Sequence, residues 1–228
     1  MNGKITVFTG IIGNGYDTPP QKPKFSENNV DYVCFADHAI SEPPWKLVRV
    51  NPIDPLSPRR SSRIYKIMPH KFLSNTDYSI WIDGHGYLLA PPSEIIGLLG
   101  DNDIGVSRFS RGWDTLTREA EFCLSRWPKL PVKEQKDFYL SEGCPDNTGI
   151  FMGGLIVRRH TKAIARLNEL WWEQITKFSQ RDQLSLPYVL WKLGITPSIL
   201  PSPKQDCAEN TSCIHGHSRH LMFNALRL

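Results

Sequence analysis

Ser79-Ile80-Trp81-Ile82-Asp83-Gly84-His85-Gly86 decides the reading of this chain. The run Tyr78 to Ile82 (YSIWI) is almost wholly apolar and ends in a carboxylate and a turn glycine. A short run without polar alternation fits a strand buried on both faces, as in a parallel sheet covered by helices. In such sheets ligands gather beyond the carboxyl ends of the strands, where Asp83 stands. Asp83 and His85 are two residues apart, so a tight turn at Gly84 lets both face one ion. A carboxylate oxygen with an imidazole nitrogen suits Mn²⁺, and a carboxylate alone suits Mg²⁺. The same string also reads as a strand closed by an ordinary Asp-Gly turn.

Outward from this strand the chain alternates between two periods. Upstream, Lys4 to Thr9 (KITVFT), Asp31 to Phe35 (DYVCF) and Trp45 to Val50 (WKLVRV) predict strands. Arg59 to Leu73 predicts a helix that Pro69 must break or kink, because proline lacks the backbone donor and clashes one turn back. Downstream, Asp103 to Phe109, Gly149 to Val157 and Ile195 to Leu200 predict strands. Thr115 to Arg126, Val132 to Gly143, Thr161 to Phe178 and Asp182 to Leu193 predict helices, the last interrupted or bent near Pro187. In the third of these, Ile164, Leu167, Trp171, Ile175 and Phe178 fall at spacings of three and four and form one face. Strands separated by helices predict a single α/β domain with a mostly parallel central sheet. We place it over residues 1–203, with a tail over 204–228 expected to close over the active site.

Composition narrows the function. The chain has 228 residues, 40% hydrophobic and 22% charged, with 7 Trp, which excludes global disorder. No apolar run approaches the roughly 20 residues that span a bilayer, and the first residues do not resemble a signal peptide. A cytoplasmic protein without a membrane anchor is the expectation. The net charge of +4 suits an anionic substrate and is too weak to announce a DNA-binding protein. Five cysteines without a CxxC pair argue against a zinc ribbon or thioredoxin motif, and reduced thiols are expected, with a local Cys207–Cys213 pair left open. GxSxG and HExxH are missing, so serine-hydrolase and zincin chemistry have no support.

Several groups of residues carry candidate chemistry. Arg59, Arg63 and Lys66 recur at helical spacing and can meet a diphosphate from one face; a solvated basic face is the competing reading. The loop Gly10-Ile11-Ile12-Gly13-Asn14-Gly15, with Tyr16 next, can bring backbone amides to a nucleotide, although it has neither P-loop nor GxGxxG spacing. In Gln180 to Ser185 (QRDQLS), Asp182 reads either as a helix N-cap or as part of a buried Arg181–Asp182 pair facing a cleft. Asn147 and Gly149, in DNTG, can contact a sugar hydroxyl or simply form a turn. Trp113, between Arg111 and Asp114, is the candidate for sugar stacking, and Trp45 and Trp81 are expected in the core. In the tail, His215, His217 and His220 cluster, and one of them can complete a metal site begun at Asp83; a solvated tail is the alternative.

Five strings occur in order: DYVCFAD (Asp31 to Asp37), RRSSRIYKIMPHKFL (Arg59 to Leu73), SIWIDGH (Ser79 to His85), NTGIFMGGLIVRRH (Asn147 to His160) and RDQLSLPYVLWKLG (Arg181 to Gly194). Together they resemble the glycosyltransferase-like family named for plant mucilage and turgor-regulation mutants, over roughly Gly3 to Ile195. The resemblance implies a GT-A-like, Rossmann-related fold, a nucleotide-sugar donor and Mn²⁺ or Mg²⁺ held by a DxD-like motif. Asp83 matches the acidic residue of the WIDG motif, and His85 stands where a second Asp would be. Arg63 and Lys66 match the family's SRxYK string, and Asp182 with Gln183 match its RDQLS string. Plant relatives look like Golgi proteins with a leading anchor, a feature not expected here.

The resemblance thus gives a metal-assisted glycosyltransferase. In it Arg59, Arg63, Lys66, Gly84, Asn147, Gly149 and the Gly10–Tyr16 loop face the donor, and Asp83, His85, His215 and His217 face the metal. Asp182 and Gln183 act near the anomeric carbon, with Asp182 orienting or deprotonating the acceptor hydroxyl. As Asp182→Asn preserves a helix cap, that variant is expected to keep its melting temperature. The acceptor is left open among a polysaccharide, a lipid-linked glycan and a modified DNA base. A nucleotidyltransferase and a non-catalytic nucleotide- or glycan-binding module are the competing readings.

Overall fold

The structure is a computed structural model that describes residues 3–13, 20, 22–25, 27–39, 43–54, 57–84, 86–109, 114–201, 204–205 and 221–223. The strands are β1 (Ile5–Ile11), β2 (Val30–Ala36), β3 (Lys46–Arg49), β4 (Tyr78–Ile82), β5 (Gly86–Leu88), β6 (Ile104–Arg108), β7 (Phe151–Arg159), β8 (Ser198–Leu200), β9 (Lys204–Gln205) and β10 (Leu221–Phe223). The helices are α1 (Pro58–Ile67), α2 (Pro92–Gly97), α3 (Leu116–Arg126), α4 (Val132–Ser141), α5 (Lys162–Lys177) and α6 (Asp182–Leu193).

Seven strands form one sheet in the order β3-β2-β1-β4-β7-β6-β8. Every neighbouring pair is parallel except those made by β7, which runs antiparallel to both β4 and β6. The expected mostly parallel α/β sheet is therefore present. Its central strands are covered on both faces, and their side chains divide between two cores by the period of two. Phe8 and Trp81 join one core with α3, α5 and α6, whereas Val7, Ile80 and Ile82 join the other with α2.

The helix starts follow local rules. Thr161 caps α5 by accepting from the Ile164 N–H, and Thr115 caps α3 by accepting from the Arg118 N–H. Along α5, Ile164, Leu167, Trp171 and Ile175 are all buried, as the spacing predicts. The Trp171 indole N–H donates to Ser185 Oγ at 2.9 Å, so its burial leaves no donor unpaired. Pro69 ends α1 and opens a 3₁₀ turn, Pro69–Lys71. α6 runs through Pro187 without the interruption that was one of the two expectations there. Cys34, Cys123 and Cys144 are buried, and Trp45 and Trp81 are core residues, as expected.

A second sheet, β5-β10-β9, ties Leu221–Phe223 to Gly86–Leu88. The C-terminal segment thus returns to the strand that follows the Asp83–Gly84 turn. Tyr16, His85, Arg111, Trp113, Cys207, Cys213, His215, His217 and His220 lie outside the described residues. The described residues contain no helix long and apolar enough to cross a membrane.

Candidate active site

The carboxyl ends of β1, β2 and β4 share one edge of the sheet, and α1 enters across it. At the end of β4, the Asp83 backbone N–H donates to Gly154 O at 3.0 Å and Asp83 O accepts from the Gly86 N–H at 2.7 Å. This turn around Gly84 fixes the Asp83 side chain, and Oδ1 accepts from the Trp81 indole N–H at 2.8 Å.

Lys66 reaches the same place from α1. Its side chain is 1% exposed, its ammonium pairs with the Asp182 carboxylate, and Asp83 Oδ1 is 3.8 Å away. Arg63, one turn earlier, places Nε 3.6 Å from Asp182 Oδ2. The helical spacing of Arg63 and Lys66 thus puts both on one face, as predicted, but that face is buried rather than solvated. Burial pulls the Lys66 ammonium below its ordinary value, with Asp182 and Asp83 opposing the pull. Burial also raises the Asp182 carboxyl, but Arg63 and Lys66 outweigh it and hold Asp182 far below the usual carboxylate range. Removing either charge would strand its partner away from water.

Asp182 is neither the N-cap nor the partner of Arg181. The cap position of α6 is Arg181, without a side-chain cap bond, and Asp182 begins the helix with its carboxylate turned inward. The Arg181 guanidinium instead donates to Gln183 Oε1 at 2.8 Å, lies 3.5 Å from the buried Glu119, and sits over the Trp127 ring at 4.5 Å.

Three features of this site were not singled out from the sequence. Gly153 lies where β7 shifts register against β6, between Val106 and Ser107. A Cβ on Gly153 would lie 2.5 Å from Asp182 Oδ2, so the Lys66–Asp182 pair occupies the space a side chain would need. The paired glycines of FMGGLIV mark a place where the strand can be approached closely, but nothing local says by which residues. Asp37, after β2, accepts from the Gly13 N–H through both carboxylate oxygens at 3.1 and 3.0 Å, and His38 Nδ1 lies 2.6 Å away. Burial raises its carboxyl, but the His38 and Gly13 hydrogen bonds hold it below its ordinary value. Gly13 has φ +77°, a conformation that favours glycine. The third, Trp127, gave no signal because its role depends on α1 and α6 packing beside it.

The other candidates are more dispersed. Gly10 packs against Trp81, where a Cβ would lie 3.4 Å from its ring. Arg59 lies over Trp127 at 5.8 Å rather than with Lys66 and Asp182. Gly149 N–H donates to Asp114 O at 3.0 Å, and Asn147 is exposed in the adjoining turn. Among the described residues no three His, Cys, Asp or Glu side chains converge as a metal site. Asp83, at 23% side-chain exposure with Oδ1 held by Trp81, offers its second oxygen as one hard ligand, which fits a divalent cation completed by phosphate oxygens and water.

The mostly parallel sheet, with its charged cluster at the strands' carboxyl edge, is a GT-A-like α/β fold. The structure superposes on the bifunctional glycosyltransferase WbbM with a TM-score of 0.50 at 12% identity, over 88% of this chain and 39% of that one. The sequence profile of the TOD1/MUCI70 glycosyltransferase-like domain matches residues 37–217, and the chain belongs to that family. It is 25% identical over 187 residues to the probable hexosyltransferase MUCI70 of Arabidopsis thaliana, covering 77% of this chain and 32% of that protein. It is 22% identical over 160 residues to the alkaline ceramidase TOD1 of Arabidopsis thaliana, covering 64% of this chain and 35% of that protein. The chain thus spans about a third of the length of these curated relatives.

Proposed function

We propose that this chain transfers a hexosyl group from a nucleoside diphosphate sugar to a hydroxyl-bearing acceptor. The observation that carries the reading is the buried Arg63–Lys66–Asp182 cluster beside Asp83 at the ligand-binding edge of the sheet. Family membership and the hexosyltransferase relative support it.

Transfer breaks the bond between the anomeric carbon and the diphosphate and forms a bond to the acceptor oxygen. Negative charge grows on the leaving diphosphate, and preorganised cations stabilise that charge where it forms. Lys66 and Arg63 are held in place for this by Asp182. Asp83 would hold Mn²⁺ or Mg²⁺, which supplies Lewis-acid stabilisation of the same leaving group. Gly13 and Asp37 would meet the nucleoside, and Asn147 with Gly149 the sugar. Of the two roles open to Asp182, orientation fits: a carboxylate held far below its usual range is a weak proton acceptor.

The test is a thermal-shift screen of nucleotide sugars with and without Mn²⁺, followed by product analysis. A ligand at about 100 times its dissociation constant stabilises by roughly 2.7 kcal/mol. Release of nucleoside diphosphate is the expected result. Release of pyrophosphate would instead make the chain a nucleotidyltransferase, and binding without turnover a non-catalytic module.

A further inference from the structure

Arg158 lies in the middle of the seven-stranded sheet and is fully buried. On β7 it stands between Ser79 of β4 and Ile104 of β6. By the period of two it shares a face with Ile156, and so it points into the core that holds α5. Its guanidinium lies over the Trp171 ring of α5 at 5.8 Å, close to the outer limit of a cation–π contact. Among the described residues, its Nε, Nη1 and Nη2 find no hydrogen-bond acceptor. A positive charge and its N–H donors are thus enclosed between β7 and α5.

No carboxylate offsets that charge among the described residues. Burial alone lowers the Arg158 pKa, to about 9, so the group is charged at neutral pH. The Arg158 charge is felt by two histidines, His70 on the 3₁₀ turn and His160 on the same face after β7, and it helps to lower both. The carboxylates beside those histidines, Glu169 and Asp77, are exposed. A buried charge without a partner is strongly unfavourable. Water would satisfy the N–H groups but would leave the charge in place.

We propose that Arg158 holds a buried monovalent anion of halide size, with chloride as the ion bound in ordinary buffers. One uncompensated cation calls for one negative charge, and enclosure between a sheet and a helix favours a single-atom ion. The site is separate from the donor edge: Ser79, beside Arg158, precedes Asp83 by four residues of extended chain, about 13 Å. The proposal therefore does not rest on the transferase reading.

The test is urea unfolding of the full chain while chloride replaces gluconate at constant ionic strength, gluconate being too bulky for an enclosed site. Stability is expected to rise with chloride, and beyond saturation each tenfold increase should raise the folded-to-unfolded ratio about tenfold. Arg158→Met, which keeps an apolar stem without the charge, is expected to lose this dependence. The ring C–H resonance of His160, assigned with His160→Gln, is expected to move saturably with the same midpoint. That of His38, after β2 at the opposite edge of the sheet, is expected to stay. Stability that ignores chloride overturns the proposal in favour of water around the guanidinium. A chloride dependence that persists in Arg158→Met, or that leaves the His160 resonance unmoved, overturns it because the ion then acts elsewhere. Formate with a lower midpoint than chloride overturns the halide assignment. Should Arg158→Met fail to fold, the parent titration and the His160 resonance decide.

Discussion

Lys66 and Asp182, 116 residues apart in the chain, form a buried ion pair that fills the space above Gly153. Neither side chain reaches bulk water, so each is the other's main compensation for burial. Arg63 adds a second cation at 3.6 Å from Asp182, and Asp83 a second carboxylate at 3.8 Å from Lys66. The four groups balance in charge, and each cation is held in position by a carboxylate.

Gly153→Ala should be costly despite its size. The added Cβ would stand 2.5 Å from Asp182 Oδ2, and the atoms that must move are the buried pair itself. Overpacking of this kind costs about 1–3 kcal/mol. We expect a lowered melting temperature, together with loss of nucleoside diphosphate release. A variant that melts and turns over like the parent would show that the pair shifts freely.

Lys66→Met should destabilise more. Removing one partner of a buried pair typically costs about 3–5 kcal/mol, and Arg63 beside Asp182 places this case near the lower end. By the same logic Asp182→Asn should lower the melting temperature, since it leaves Lys66 buried without its partner. This reverses the expectation drawn from reading Asp182 as a cap. Denaturant titration of Lys66→Met, Asp182→Asn and the double variant measures the coupling, and additive losses would mean the pair is not coupled.

The Trp81–Asp83 hydrogen bond gives a third prediction. Trp81→Phe keeps most of the buried volume and removes the 2.8 Å bond that holds Oδ1. Asp83→Ala is expected to abolish Mn²⁺-dependent turnover in a folded chain. Trp81→Phe is expected to raise the Mn²⁺ midpoint by about tenfold, the loss expected for an outer partner of a metal ligand. Equal midpoints in parent and Trp81→Phe would separate Asp83 from the metal.

Acid should destabilise the fold partly through His160. Burial, reinforced by Arg158 and His70 nearby, lowers its pKa from 6.5 to about 4, and its Nε2 lies 2.9 Å from Ser79 Oγ. Between those values the unfolded chain binds the proton and the folded chain does not. Stability from this group is therefore full above pH 6.5 and lost as pH falls toward 4, by about 3 kcal/mol. His160→Gln should flatten the dependence of unfolding free energy on pH across that window. An unchanged slope would assign the acid sensitivity to other groups.

The sequence by itself determined the elements and one edge of the site. Apolar runs of period two and faces of period three and four are local properties, so β4, α3 and α5 appear within a residue or two of where they were expected. Asp83 at the end of β4 followed from the same local reading. Other elements were not expected: the short helix α2 and the strands β5, β9 and β10 of the second sheet. Only the tertiary structure decided which residues meet. The reversed direction of β7, its register shift at the glycines, and the packing of α1 beside α6 bring Lys66, Gly153 and Asp182 together. The same packing sets Arg59 and Arg181 over Trp127. Those contacts join segments far apart in the chain, and their geometry comes from how whole elements pack, which no local periodicity encodes.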